Sequence, residues 1–361
     1  MRNLRAIDLF CGTGGFSRGA IAAGFDVVAA FDIDANLTYS HHYNFPDTKL
    51  YLEDVSKLTG ADILTKTGGG IDLMFGGPPC QGFSMMGKRK VDDPRRELLG
   101  HFFRLVSEVK PSVFVMENVE GLLFGDAKTV LDNALSHVRD YTVLDPMVLD
   151  ASNFGAATKR KRAFVIGYDP TRCLPITEAL IEASKTSPAT VAEALSGLAG
   201  CSLIGDSNGF DMWRLGRGVR LSDYASRLAN KNRIFTGNQA TNHAENVVAR
   251  FATVLPGKSD PVGRHPRLKL DGQCPTLRAG TGADKGSHQS LRPIHPEEDR
   301  VITVREAARL QGFPDHHRFH PTIWHSFRQI GNSVSPIIAD TVLSILKDRI
   351  LQSNNNSRIA A

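Results

Sequence analysis

Five short apolar runs, most of them closed by a polar residue or a glycine, divide the first half of the chain and leave few folds open to it. Residues 5–10 (Arg-Ala-Ile-Asp-Leu-Phe) lead into a Gly-rich turn and then a helical stretch over residues 16–23. Residues 26–31 form a second run ending at Asp32, and residues 71–75 a third ending in Gly76-Gly77-Pro78-Pro79. Residues 112–116 form a fourth ending at Glu117, and residues 163–167 a late fifth. Apolar strands separated by helices are buried on both faces, which predicts an α/β fold with a doubly wound, mostly parallel sheet. Ligands of such sheets sit outside the carboxyl ends of the strands. The polar residues at those ends are therefore the first candidates for chemistry.

The rhythm stops at residue 168. Residues 169–295 are rich in Gly, Ser, Asn and Arg, carry one predicted helix near residues 189–198, and read as a smaller, irregular, separately folded domain. This segment holds 16 Lys/Arg against 11 Asp/Glu, which accounts for the whole-chain net charge of +5. A basic segment suits phosphate contact, although a solvated, loop-rich surface would have the same composition. A helical pattern from Thr303 (Val304, Ala307, Ala308, Leu310) stops at Gly312-Phe313-Pro314. A last helix is predicted over residues 336–351, with Ile337, Ile338, Val342, Ile345 and Leu346 as its apolar stripe. Residues 296–351 thus return to the domain begun by residues 1–168, and residues 352–361 read as a disordered tail.

The 361 residues are enough for one large core and a smaller one. No apolar run approaches a membrane span and no secretory signal precedes the first strand, so a cytoplasmic location is expected. Cys11, Cys80, Cys173, Cys201 and Cys274 are odd in number and scattered, with no CxxC pair. That pattern argues against a disulfide framework and a thiolate zinc site. His316, His317, His320 and His325 cluster without zinc spacing and read as a polar, partly aromatic loop. No metal is expected.

The turn Cys11-Gly12-Thr13-Gly14-Gly15 between a strand and a helix lets backbone approach a ligand closely, as any tight β-to-α connection would. Asp32, at the end of the next strand, is placed to accept the ribose hydroxyls of a nucleoside cofactor. Asp34 carries the same charge but points elsewhere if the strand has ended. Asp54 could take a purine edge with Val55 and Ile33 on the ring faces; taken alone it fits a turn residue as well. Gly76-Gly77-Pro78-Pro79 fixes a rigid loop that presents Cys80 at a strand end, which is unusual for a packing cysteine. A thiolate there would be a nucleophile. Glu117 ends a strand of the same sheet and could hold a proton as a general acid. Arg160 and Arg162 share one face of an extended segment, suited to a phosphate or a pyrimidine carbonyl; an exposed basic loop would read the same way.

In this order the elements resemble the cytosine-C5 DNA methyltransferases, over nearly the whole chain outside the middle segment and the tail. Asp8 to Gly19 is similar to the family's cofactor loop, and Asp32 and Asp54 to its ribose- and adenine-binding acids. Pro79-Cys80-Gln81 matches the catalytic Pro-Cys-Gln, and Glu117-Asn118-Val119 the Glu-Asn-Val. Residues 305–314 resemble the motif that packs under the recognition domain, Pro275-Thr276-Leu277 the short Thr-Leu element, and Gly331-Asn332-Ser333-Val334 the late Gly-Asn-x-Val. The resemblance implies a Rossmann-like fold binding S-adenosyl-L-methionine, with S-adenosyl-L-homocysteine as product. It implies cofactor contacts from Phe10, Gly12, Thr13, Gly15, Asp32, Ile33, Asp54, Val55, Pro79, Leu98, Asn332, Ser333 and Val334. It implies catalysis by Cys80, Glu117, Arg160 and Arg162 on a cytosine flipped out of double-stranded DNA, with Arg160 toward the pyrimidine O2 side or the surroundings of the thiolate and Arg162 supporting it. Residues 169–295 become the target-recognition domain, in which Phe210, Trp213 and Phe235 are either recognition aromatics or core.

Two positions depart from the pattern: Thr158 stands where Gln is usual, after Ala157 in place of Pro, and Cys11 stands where Ala is usual. The compact size suggests a bacterial or phage restriction-modification role, a monomer, and a separately acting cognate endonuclease. A tRNA cytosine methyltransferase of the same lineage is the nearest rival. Gln81-Gly82-Phe83-Ser84 and the long middle segment favour DNA over it. A catalytically silent DNA-binding protein is a rival of another kind, disfavoured by the intact Cys80, Glu117, Arg160 and Arg162.

Overall fold

The computed structural model describes residues 3–79, 97–279 and 291–359. Its centre is a sheet of β1 (Arg5–Leu9), β2 (Asp26–Asp32), β3 (Lys49–Leu52), β4 (Leu73–Gly76), β5 (Val113–Asn118), β6 (Thr142–Val143), β7 (Met147–Asp150) and β8 (Lys161–Tyr168). The spatial order is β3-β2-β1-β4-β5-β8, with β6 and β7 both paired to the far edge of β8. The first five strands are parallel, and β8 runs antiparallel to β5. The expected doubly wound sheet is present.

Two-residue periodicity assigns the core. Leu73, Phe75, Val113 and Val115 face one side of the sheet, and Met74, Phe114 and Met116 the other. The first side is covered by α1 (Gly15–Ala22) through Phe16 and Ala20, together with α12 (Pro336–Ile359) through Ile338, Val342 and Leu346. The second is covered by α3 (Gly60–Thr67), α4 (Glu97–Val109) and α5 (Gly125–Leu135). Each such fully buried aliphatic side chain contributes about 1.5–3 kcal/mol. The short α2 (His41–Asn44) lies in the β2–β3 connection.

Residues 169–295 are more regular than their composition suggests. They contain α6 (Glu178–Glu182), α7 (Val191–Leu195), α8 (Asp223–Leu228) and α9 (Glu245–Ala252). They also hold a three-stranded antiparallel sheet of β9 (Cys201–Ser207), β10 (Phe210–Leu215) and β11 (Ile234–Thr236). The helix expected over residues 189–198 is the shorter α7, started by a Thr190–Glu193 capping box. The sheet gave no alternating signal because β9 is exposed along almost its whole length. Phe210 and Phe235 are buried, whereas Trp213 is half-buried and donates to Asp211.

This part shares a core with α10 (Val304–Gln311) and α11 (Ile323–Asn332): Val191, Tyr224, Leu268 and Cys274 pack with Val304, Leu310, Phe313 and Phe327. Buried arginines of α10 tie the two together. Arg305 Nε donates to Thr236 O, and Arg309 Nη1 to Ser196 O while its Nε and Nη2 chelate Asp315. The last helix runs past residue 351 through Ile359, into the stretch read as disordered. Once Leu346 and Ile350 anchor it, each further residue adds one hydrogen bond without a new nucleation cost, even in an Asn/Ser-rich sequence.

Candidate active site

A cleft of about 440 Å³ opens across the carboxyl ends of β1, β2, β4 and β5. One wall is the turn from β1 to α1. Phe10 has φ 63°, a left-handed conformation that costs a non-glycine residue about 1–3 kcal/mol and is concentrated at functional sites. The turn is stitched to β2: Cys11 N donates to Phe31 O at 3.1 Å, and Gly12 N to Asp32 Oδ2 at 2.8 Å. Asp34 N donates to Asp32 Oδ1 at 2.8 Å. Each carboxylate oxygen keeps a second lone pair for a ligand hydroxyl. Burial raises the Asp32 pKa against the pull of those backbone donors.

Beneath the turn, Asp8 is fully buried and accepts from Ser17 Oγ at 2.6 Å. Burial lifts its carboxyl to about 8, so it is largely protonated at neutral pH. The opposite wall comes from residues 331–334. A Cβ on Gly15 would sit 1.9 Å from Ser333 Oγ and 2.3 Å from Val334 O, so only glycine lets that segment close on the start of α1.

Further along, Asp54 Oδ1 accepts from Ser56 N and Ser56 Oγ, bonds that lower its pKa. Ile33 is 70 % exposed on the cleft wall, facing Val55 and Leu98 as other lining residues. A large exposed aliphatic in a concavity is a ready surface for a flat ring. Among the described residues no group of three or more His, Cys, Asp or Glu side chains is placed to hold a metal ion.

The second half of the cleft is built by β5 and β8. Glu117 lies opposite Phe164 in the antiparallel pair, which brings it beside Arg162 at the start of β8. Arg162 Nε is 3.0 Å from Glu117 Oε1, an ion pair whose angle does not make a hydrogen bond, so that buried oxygen still lacks a donor. Burial raises the Glu117 pKa, opposed first by Arg162 and then by Arg160. Asn118 Nδ2 donates to Pro78 O at 3.2 Å, fastening the Gly77–Pro79 loop to β5. Pro79 lines the cleft, and Cys80, the next residue, lies outside the described residues.

This geometry pairs an acidic pocket with a buried, proton-competent carboxyl at the same sheet edge. A model of the C-5 cytosine-specific DNA methylase family matches residues 4–348. The chain is a cytosine-C5 DNA methyltransferase. It is 40% identical, over 93% of its length and 82% of the relative's, to the type II methyltransferase M.XorII of Xanthomonas oryzae pv. oryzae. It is 30% identical to M.DdeI of Desulfomicrobium norvegicum over 94% and 87% of the two chains. A prophage-encoded E. coli protein described as a DNA modification methyltransferase superposes with TM-score 0.84 at 40% identity, covering 97% of this chain and 100% of that one. The S. pombe Dnmt2 methyltransferase shares the fold, with TM-score 0.63 at 17% identity over 96% and 99% of the two chains.

In this methyltransferase the structure gathers Phe10, Gly12, Thr13, Asp32, Ile33, Asp54, Val55, Pro79, Leu98, Asn332, Ser333 and Val334 on the cleft, together with Glu117, Arg160 and Arg162. Gly15 stands behind it. One reading changes. Asp34 does not point away: it lines the cleft, accepts from Asn36 N and Leu37 N, and pairs with Arg328 at 3.2 Å. Both arginines line the cleft: Arg162 is the one beside Glu117, whereas buried Arg160 donates to Leu277 O (3.3 Å) and Gly331 O (2.9 Å) and keeps its Nε without a partner among the described residues. An extended pair shares one face, but nothing in the spacing says which member meets the neighbouring strand.

Arg328 and Gln329 also line the cleft and were missed. They lie four and three residues before Asn332 on α11, a spacing that would have placed them on its face. Buried His317 from the histidine cluster meets Thr13 Oγ1 at 3.3 Å and Asn44 Nδ2 at 3.2 Å. Cys11 is buried, its thiol held well above the usual range by burial and by Asp32 and Asp8.

Proposed function

We propose that this enzyme transfers the methyl group of S-adenosyl-L-methionine to C5 of a cytosine flipped out of duplex DNA, through a covalent bond between Cys80 and C6. The observation that carries the reading is the buried Glu117–Arg162 pair at the strand edge that also bears residues 77–79, the segment leading to Cys80 in the sequence. The cofactor fits the donor set of the first half. Asp32 offers lone pairs to ribose hydroxyls, Asp54 an acceptor to a purine amino group, and Ile33 and Val55 apolar faces to the ring. When bound, it supplies an electrophilic methyl on a sulfonium, whose charge the acidic lining favours.

The protein's own residues prepare the base. Cys80, as thiolate, adds to C6, while Glu117 delivers its proton to N3, whose electron density rises as the ring loses aromaticity. C5 then has enamine character and takes the methyl. Loss of the C5 proton to a base and return of the N3 proton to Glu117 let the thiolate leave and restore the ring. Burial suits Glu117 to this exchange, because it raises the pKa and so favours the proton-holding form of the carboxyl. Arg162, on the same carboxyl, is the candidate for the pyrimidine O2 side. Residues 169–295 act as the target-recognition domain, their Lys and Arg making phosphate and base-edge contacts. The enzyme works as a monomer and protects DNA from a separately acting endonuclease.

The test is covalent capture. Duplex DNA carrying 5-fluorocytosine, incubated with enzyme and S-adenosyl-L-methionine, should trap an adduct on Cys80, because fluorine blocks the final elimination. Cys80→Ala should bind the cofactor and DNA but form no adduct and transfer no methyl. Normal turnover by Cys80→Ala would end the proposal.

A further inference from the structure

Thr158, the residue that departs from the family pattern, sits at a junction between the recognition segment and the catalytic strand. Residues 157–160, just before β8, run beside residues 274–277 as a short parallel bridge. Cys274 N donates to Ala157 O at 2.8 Å, Lys159 N to Cys274 O at 2.8 Å, and Thr276 Oγ1 to Lys159 O at 2.6 Å. Thr158 is fully buried, and its Oγ1 donates to the same Cys274 carbonyl at 3.1 Å. One carbonyl thus takes two donors from adjacent residues, which fixes the direction of residue 158 as well as its separation from the partner.

Two residues on, Arg160 bonds Leu277 O and Gly331 O. A Cβ on Gly331 would lie 2.3 Å from Ala279 N, so residues 278–279 are pressed against the end of α11. Two further residues along, Arg162 meets Glu117. We propose that Thr158 is a positioning residue: it registers the 274–279 segment against the start of β8, so that docking of the recognition segment sets where Arg162 holds Glu117. This rests on the cytosine methylation proposed above.

The geometry makes the hydroxyl separable from folding. In Thr158→Val the Cys274 carbonyl keeps the Lys159 N–H, so no buried acceptor is orphaned and the shape is nearly conserved. The experiment measures kcat, the KM for S-adenosyl-L-methionine on unmethylated plasmid DNA, and cofactor binding without DNA, for wild type, Thr158→Val and Thr158→Ser. Thr158→Val should lose about tenfold in kcat, a loss of the size small misplacements of reacting groups produce. Its cofactor affinity and KM should stay within about twofold, and Thr158→Ser should regain most of the kcat. Unchanged kcat in Thr158→Val overturns the proposal. So does failure of serine to restore kcat, or a parallel loss of cofactor binding, which would mark the hydroxyl as merely structural. Wild type that transfers no methyl to DNA would refute the proposed function instead.

Discussion

Asp8 offers the sharpest quantitative test, because a buried acid in a cofactor cleft should cost the free enzyme stability. Its ordinary pKa of 3.8 is raised to about 8 in the folded chain, with burial as the main cause. The sign follows from proton counts. Between these two values the folded state holds a proton that the unfolded state has released, so stability is greatest below 3.8 and falls as pH rises toward 8. Each unit is worth about 1.4 kcal/mol, so by pH 7 the penalty reaches ~4 kcal/mol, against ~2 kcal/mol at pH 5.

Asp8→Asn removes the titration and keeps an oxygen to accept from Ser17 Oγ. The variant should be more stable than wild type, with an advantage that grows by ~3 kcal/mol between pH 5 and pH 7. Denaturant midpoints for both proteins at pH 5, 6, 7 and 8 give the difference directly, and every other titrating group cancels. An advantage independent of pH, or a less stable variant at pH 7, would refute the reasoning. The raised acid would then owe nothing to burial.

His41 should act in the opposite sense. Burial, with His42 and Arg18 adding to it, lowers its pKa from 6.5 to about 4, so its contribution is complete above pH 6.5 and lost as pH falls through that value. His41→Phe should therefore lose ~2 kcal/mol less than wild type between pH 7 and pH 5 in the same denaturation series, and parallel curves would contradict this. In the core shared by residues 169–295 with α10 and α11, Arg309→Met leaves Asp315 buried without its chelating partner and should cost about 3–5 kcal/mol in urea unfolding. Arg309→Met combined with Asp315→Leu should recover most of that loss; no recovery would show that the bonds from Arg309 to the Ser196 and Ala194 carbonyls, not the ion pair, carry the effect.

What was legible in the sequence is what short-range physics controls. The apolar runs at β1, β2, β4 and β5 had one burial pattern available, and the sheet rule then placed Asp32, Pro79 and Glu117 on a common edge. The capping box of Thr303 and Glu306 and the stop at Gly312 marked α10 in the same local way. The three-stranded sheet of β9, β10 and β11 was not legible, because β9 faces solvent and lacks alternation. Nor was the buried state of Asp8: an acid in an apolar strand has the same letters whether its side chain meets water or Ser17. Asp34 was misread because its partner, Arg328, is 294 residues away, and no local rule connects them.

The direction of β8 explains why Arg160 and Arg162 come before and at the start of their strand while the other cleft residues lie at or beyond the ends of theirs. In the parallel strands the chain climbs to the carboxyl edge and deposits Phe10, Asp32, Gly77 and Asn118 at or just beyond it. Because β8 is antiparallel to β5, it begins at that same edge, so residues before and at its start reach the cleft. The segment leading into it is free of the main sheet and can pair with residues 274–277, which no strand following the parallel rule could do from inside the sheet. A single reversed strand thus lets one stretch of chain touch both residues 274–277 and Glu117. It also divides the arginines: Arg160, before the strand, donates to the carbonyls of Leu277 and Gly331, and Arg162, within it, meets the carboxyl. Exchanging the pair's chemistry by Arg162→Lys should therefore harm methyl transfer far more than cofactor binding, since a lysine ammonium cannot reproduce the approach of the guanidinium Nε to Glu117 Oε1.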